Sequence, residues 1–179
     1  IADYDEAIKL ELKDADIYYN RGVAWRIKGV YDRAIADFDE ALKLAPKTAA
    51  YSNRCWARAA ANRDLQEALD DCNASLRFGP NHAPTIEIRG LVYLRLGRLD
   101  DAIADYDAAL KSDQRRAYSL YGRGLAKLRK GDVTGGEADL AIATALNPDV
   151  TEEFKRYGVT AERPVAETPA AAPNQTDNP

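Results

Sequence analysis

The sequence predicts an all-α chain built as a solenoid of antiparallel helix pairs, and three observations carry that expectation. Small residues return every 34 positions, at Ala34, Ala68, Ala102 and Gly136 and again at Ala41, Ser75, Ala109 and Ala143. Prolines keep the same step at Pro46, Pro80 and Pro148, with Gln114 in the third place. Glycines stand midway, at Gly29, Gly97 and Gly131. Self-similarity at a fixed period of this size marks an array of stacked units, none of which buries its apolar face alone.

The chemistry of these positions explains the period. Small residues let two helices approach closely, and a proline falls where a helix must stop. The midway glycine supplies the left-handed residue that a helix C-terminus needs. Each unit therefore reads as helix, tight turn, helix, stop, and the units fall at 15–48, 49–82, 83–116 and 117–150. A further small series, Gly22, Cys55, Gly90 and Gly124, steps by 33, 35 and 34, so the first helix of the second unit is shifted by one residue. The turn of that unit, Asn62-Arg63-Asp64, is one residue longer and lacks the glycine.

Residues 1–14 match the second helix of an earlier, truncated unit: Asp3, Tyr4 and Ala7 lie 34 before Asp37, Phe38 and Ala41. The chain has no methionine and opens at Ile1 inside this helical pattern, so a natural start is expected upstream. Residues 151–159 read as a short C-terminal capping helix. Residues 160–179 are rich in proline and alanine and hold no aromatic residue. Such a stretch buries too little apolar surface to offset its ordering entropy, and a disordered tail is expected there.

A 34-residue helix–turn–helix with these landmarks resembles the tetratricopeptide repeat family, in its bacterial form. The motif residues are Gly22, Trp25, Ala34, Phe38, Ala41 and Pro46 in the first unit, and Gly90, Tyr93, Ala102, Tyr106 and Ala109 in the third. The second and fourth depart from the pattern: Cys55 replaces glycine, Cys72 and Leu140 replace the aromatic, and Gly136 replaces alanine. The resemblance covers about residues 1–158 and implies a right-handed superhelix whose first helices line a concave side. It implies a protein–protein interaction scaffold or adaptor that holds a peptide or helix of another protein. Solenoid ends also expose apolar helix faces unless capped, so self-association through an N-terminal face carrying Tyr4 and Ile8 is the alternative.

Charge recurs inside the unit. Arginine precedes the small residue of every first helix, at Arg21, Arg54, Arg89 and Arg123, and aspartate recurs in every second helix, at Asp37, Asp71, Asp105 and Asp139. Charges held in register near helix-packing positions predict an Arg–Asp ladder between helices, for which the planar guanidinium fork is suited. Pairing within a unit and pairing between neighbours are both open at this level.

Catalysis needs converging acid, base or nucleophile groups, and the sequence offers none; an enzyme is not expected. The single histidine, His82, falls in a loop after Pro80. Gly135-Gly136 lacks the Lys-Ser/Thr partner of a phosphate-binding loop. No metal or cofactor is implied, because one histidine and two separated cysteines do not make a ligand set. The formal net charge of −4 gives no basic face for nucleic acid. No apolar run approaches the roughly 20 residues needed to span a bilayer.

Two features point to sites. In the family register Cys55 and Cys72 occupy packing positions on paired helices, so they are either reduced, buried small hydrophobes or an intra-repeat disulfide. The disulfide alternative implies an oxidising compartment; the resemblance includes exported bacterial proteins, which favours the periplasm over the cytoplasm. The second feature is the groove. Removing the packing positions from each first helix leaves Tyr19, Asn20, Val23, Arg26 and Ile27, then Asn53 and Trp56, then Glu87, Leu91, Leu94 and Arg95, then Tyr121, Leu125 and Arg129. Trp56 beside Ala59 and Ala60 reads as an anchor with a pocket, and Arg26, Arg95 and Arg129 as receivers of acidic groups.

Overall fold

The computed structural model describes residues 1–10 and 14–161. The expected tail therefore lies almost wholly outside the described residues. Among these, ten α-helices follow one another: α1 (Ala2–Lys9), α2 (Ala15–Ile27), α3 (Tyr31–Leu44), α4 (Thr48–Ala61), α5 (Leu65–Phe78), α6 (Ala83–Arg95), α7 (Leu99–Ser112), α8 (Ala117–Lys130), α9 (Val133–Leu146) and α10 (Val150–Arg156). The helices pack as hairpins α2–α3, α4–α5, α6–α7 and α8–α9, each stacked on the next. The chain is an all-α solenoid.

Local chemistry sets the boundaries. Asp14 caps α2 by accepting from the Asp16 backbone N–H at 2.8 Å, and Asp132 caps α9 by accepting from Gly135 N at 2.9 Å. Gly29, Gly97 and Gly131 take φ of 74°, 72° and 93°, the left-handed conformation that closes a first helix. The second hairpin makes the same turn without glycine: Asn62 at φ 56° and Asp64 at φ 50° carry it. Asparagine and aspartate tolerate this region better than other side chains do. Its first helix starts at Thr48, in keeping with the one-residue shift of the sequence.

Packing explains why the small positions are small. A Cβ at Gly22 would lie 2.8 Å from the Phe38 ring. At Gly122 it would lie 2.2 Å from Cζ of Tyr106, an aromatic residue of the preceding hairpin that is fully buried. The aromatic of one helix thus occupies the space left by a missing side chain on its neighbour. The main core runs through the second, third and fourth hairpins and on to Val150, Phe154 and Val159 of the C-terminal segment. A smaller cluster of Ala34, Phe38 and Ala57 joins the first hairpin to the second.

Candidate functional site

The ladder arginines each bridge three helices. Arg21 donates from Nε and Nη2 to both carboxylate oxygens of Asp37, at 2.9 and 2.6 Å. Arg89 makes the same fork on Asp105 at 2.7 and 2.7 Å, and Arg123 on Asp139 at 2.7 and 2.7 Å. Arg54 repeats it on Asp71, which also accepts from Arg58. The remaining Nη1 reaches the hairpin before: Asp5 for Arg21, Asp39 for Arg54, Asn73 for Arg89 and Asp107 for Arg123. Pairing is therefore both within a repeat and between neighbours. The second series, Asp5, Asp39, Asn73 and Asp107, also steps by 34, but its residue types are those of any solvated helix face.

These pairs are screened from water on one side only. Asp37, Asp71, Asp105 and Asp139 are buried, whereas Asp5, Asp39 and Asp107 stay partly open. Burial by itself would raise the Asp139 carboxyl, but hydrogen bonds from Arg123 and Lys127 outweigh it and hold the group below the ordinary aspartate range. The stability this carboxylate contributes is therefore present above the unfolded value of about 3.9 and is lost as pH falls through the lower folded value. Acid titration followed by circular dichroism should show the parent losing stability on that descent, and Asp139→Asn, already weaker at neutral pH, losing less. Equal pH dependence in the two proteins would rule out this source of acid lability.

Cys55 and Cys72 are bonded to each other, with Cα atoms 5.5 Å apart, and tie α4 to α5. Both are completely buried. The staple sits in the hairpin whose turn lacks glycine. His82 caps the start of α6, its side chain exposed and its Nδ1 2.7 Å from Thr85 Oγ1. Thr85 Oγ1 also meets Ser52 Oγ at 2.8 Å and Ser75 Oγ at 3.3 Å, a buried hydroxyl cluster between the second and third hairpins. Among the described residues no group of three or more His, Cys, Asp or Glu is placed to hold a metal ion. Among the described residues no helix is long and apolar enough to cross a membrane.

The groove residues divide sharply. Glu87, Leu91, Tyr121 and Leu125 are buried, and their expectation as open groove residues is corrected. Glu87 instead accepts both Arg116 Nε and Nη2, at 2.8 and 2.6 Å, and Ser119 Oγ at 2.5 Å, joining the third hairpin to the fourth. Leu91, Leu125 and the equally buried Leu94 join the main core. Over Tyr121 the cover is the chain's own C-terminal segment. The ring of Phe154 of α10 packs tilted against those of Tyr121 and Tyr118, with centroids 4.8 and 4.5 Å away. Tyr157 then reaches Trp56 at 5.8 Å, edge to face. α10 thus packs on α8 and α9, and the residues after it reach inward, Tyr157 to Trp56 of α4, Gly158 to Arg95 of α6 and Thr160 to Arg129 of α8.

Trp56 is accordingly not an open anchor. It is enclosed by Tyr31, Tyr157 and the guanidinium of Arg26, which lies 4.9 Å above its ring. The pocket expected beside it is closed: Ala59 is fully buried, and its carbonyl accepts from Arg95 Nη1. Arg129 donates to the Leu94 carbonyl at 3.2 Å and to the Thr160 carbonyl at 3.4 Å. Burial disfavours the charged form of both Arg95 and Arg129, and among the described residues no carboxylate pairs with Arg26, Arg95 or Arg129. At the other end the face is open. Ile27 is 74% exposed, Asn20 is exposed, and Tyr19, Val23 and Asn53 are half-buried. Asn53 donates to Tyr19 Oη at 3.3 Å across the first two repeats.

Stacked helix hairpins around a shared face define the class of repeat scaffolds. Tetratricopeptide repeat models match residues 15–48 and 89–150, together more than half of the chain. A TPR repeat-containing thioredoxin of Arabidopsis thaliana, TTL4, is 37% identical over 91 residues. That match covers half of this chain but 13% of the relative, so the chain spans about an eighth of the curated protein it resembles. Among solved structures, MamA 41-end from Desulfovibrio magneticus superposes with a TM-score of 0.73 at 23% identity, covering 82% of each chain. YrrB, described as a TPR protein with an unusual peptide-binding site, gives 0.71 at 21% identity and covers 88% of this chain and 81% of its own. The first TPR of Spaghetti (RPAP3), bound to an HSP90 peptide, gives 0.63 at 19% identity, with 66% and 94% covered. The chain belongs to the tetratricopeptide repeat family.

Proposed function

We propose that this chain is a protein-interaction scaffold that holds a peptide or helix of a partner protein against its concave face. The observation that carries this reading is the asymmetry of that face: the chain's own C-terminal segment packs on α8 and reaches Arg95 of α6, while Ile27 of α2 is exposed. In the repeat register Ile27 stands where Arg95 and Arg129 stand, and Val23 where Leu91 and Leu125 stand. An exposed aliphatic side chain flanked by a tyrosine, an asparagine and an arginine has the mixed apolar and polar character of a binding surface. The peptide-bound and peptide-binding structures of similar fold support it.

The test is capture of partners from a native lysate by the parent and by an Asn20→Arg/Ile27→Asp variant. Both residues are exposed, so the fold is expected to be retained. A protein held by the parent and lost by the variant is the expected result. Equal retention by both would move the binding surface away from α2.

A further inference from the structure

The last turns of α1, α3, α5 and α7 each carry a base, Lys9, Lys43, Arg77 and Lys111, again 34 apart. A cation there complements the carbonyl end of the helix. In α1 and α3 a glutamate three residues earlier also neutralises it, Glu6 for Lys9 at 3.5 Å and Glu40 for Lys43 at 2.6 Å. In α7 that earlier position is Ala108, and the residue after the base, Leu44 in α3 and Phe78 in α5, is Ser112. Of the carboxylates near Lys111, Asp107 is held by Arg123 at 2.6 Å, and Asp113 accepts the Arg115 backbone N–H at 2.9 Å. Lys111, Ala108 and Ser112 are all exposed. The smaller residues open the surface on both sides of the lysine. On one side a cleft of about 440 Å³ is lined by Asn81, Ala83 and Ile86 together with Ala108, Lys111 and Ser112. On the other a cleft of about 510 Å³ is lined by Leu110, Lys111, Gln114 and Leu120 and by the Asp107–Arg123 pair. Gln114 stands there in the place of Pro46 and Pro80.

We infer that the end of α7 is a binding site for an extended acidic segment of another protein, in which one carboxylate is flanked two residues away on each side by an aliphatic residue. In an extended chain, side chains two apart point the same way and stand about 6.6–6.8 Å apart. The carboxylate meets the Lys111 ammonium while its two aliphatic neighbours each enter one cleft, against Ala83 and Ile86 on one side and Leu110 and Leu120 on the other. Asn81 and Gln114, one in each cleft, bring amide donors and acceptors that suit a peptide backbone. A few polar groups set among apolar walls are what fixes the orientation of a bound segment. None of these residues belongs to the expected groove or to α2. The site therefore goes beyond the scaffold reading above: the chain holds a second segment, off its concave face.

The probe is the synthetic peptide acetyl-Thr-Val-Thr-Glu-Thr-Val-Thr-amide, titrated into the full chain and followed by amide shifts in nitrogen–proton NMR spectra. Saturable shifts are expected in the last turn of α7 and at the starts of α6 and α8, with a Kd of about 1 mM or tighter. Replacing the peptide's glutamate by glutamine should weaken binding by about 2–5-fold, the worth of an exposed ion pair. Replacing both valines by serine should abolish it. Ala108→Glu/Ser112→Leu gives α7 the residues of α3, pairing the lysine and filling its flank, and should weaken binding at least about 10-fold. Both positions are exposed, and an otherwise unchanged spectrum verifies the fold. Lys111→Glu is the second variant: it should lose the glutamate peptide and bind the peptide that carries lysine in its place. No saturable shift, shifts centred on α2, or equal affinity of the parent and either variant for the glutamate peptide would overturn the inference. Sedimentation of the parent with phosphatidylglycerol vesicles, or a parent dimer, lost in both variants, would give the lysine to a lipid surface or a second copy and overturn the peptide. The capture experiment reads α2 and the peptide reads the end of α7, so either proposal can fall while the other stands.

Discussion

Asp71→Ala is expected to cost about 3–5 kcal/mol, the range found when one partner of a buried ion pair is removed. Asp71 is nearly inaccessible and accepts hydrogen bonds from Arg54 and Arg58, both themselves mostly covered. Removing the carboxylate leaves two guanidinium groups facing each other across a low-dielectric gap. Arg54 retains only Asp39, which is 38% exposed. Replacing that outer residue, Asp39→Ala, removes an interaction open to solvent and should cost less than about 1 kcal/mol. Urea titrations of the two variants, followed at the helical signal, measure the difference. Equal losses would mean that the buried fork adds nothing beyond ordinary surface charge.

Reducing the protein is expected to remove about 3 kcal/mol, because the Cys55–Cys72 bond closes a loop of 17 residues in the unfolded chain. On reduction the two sulfurs part only as far as van der Waals contact, so the main effect is on the unfolded ensemble. For a chain of this length the loss corresponds to a fall of roughly 6–12 °C in Tm. Thermal melts with and without a non-thiol reductant test it. The Cys55→Ala/Cys72→Ala protein serves as the control that reductant must leave unmoved. An unchanged melt on full reduction, verified by titrating two thiols, would show that the helices hold the turn Asn62-Arg63-Asp64 unaided.

The sequence made the periodic part of this molecule legible because periodicity is itself a packing rule. Gly22 opposite Phe38 and Gly90 opposite Tyr106 are visible as recurring small and aromatic letters, and the contact repeats wherever the letters do. Arg21 and its counterparts were readable for the same reason. Their second partners, Asp5, Asp39, Asn73 and Asp107, follow an equally regular step, but surface-like polar side chains carry no mark that sets them apart from solvated ones. The groove was misjudged for a different reason. Subtracting packing positions from Leu91, Tyr121 and Leu125 presumes that nothing else lies over them. Phe154 and Tyr157 meet residues far back along the chain, outside any repeat, and no local pattern announces such contacts. Residues 151–159 read as a cap for the end of the array, and α10 packs on α8 and α9 of the last hairpin.

One junction in the ladder differs from the rest. Where the first, second and fourth arginines reach back to a carboxylate, Arg89 reaches back to the amide of Asn73, and the neighbouring contact is a knot of hydroxyls at Ser52, Ser75 and Thr85. A neutral acceptor binds a guanidinium less strongly than a charged one. The second-to-third junction is therefore held by a neutral acceptor, hydroxyls and the main apolar core, where the other junctions of the ladder use a carboxylate. The strip of chain bearing Tyr157 spans that junction to reach Trp56, a second tie across it that lies outside the ladder.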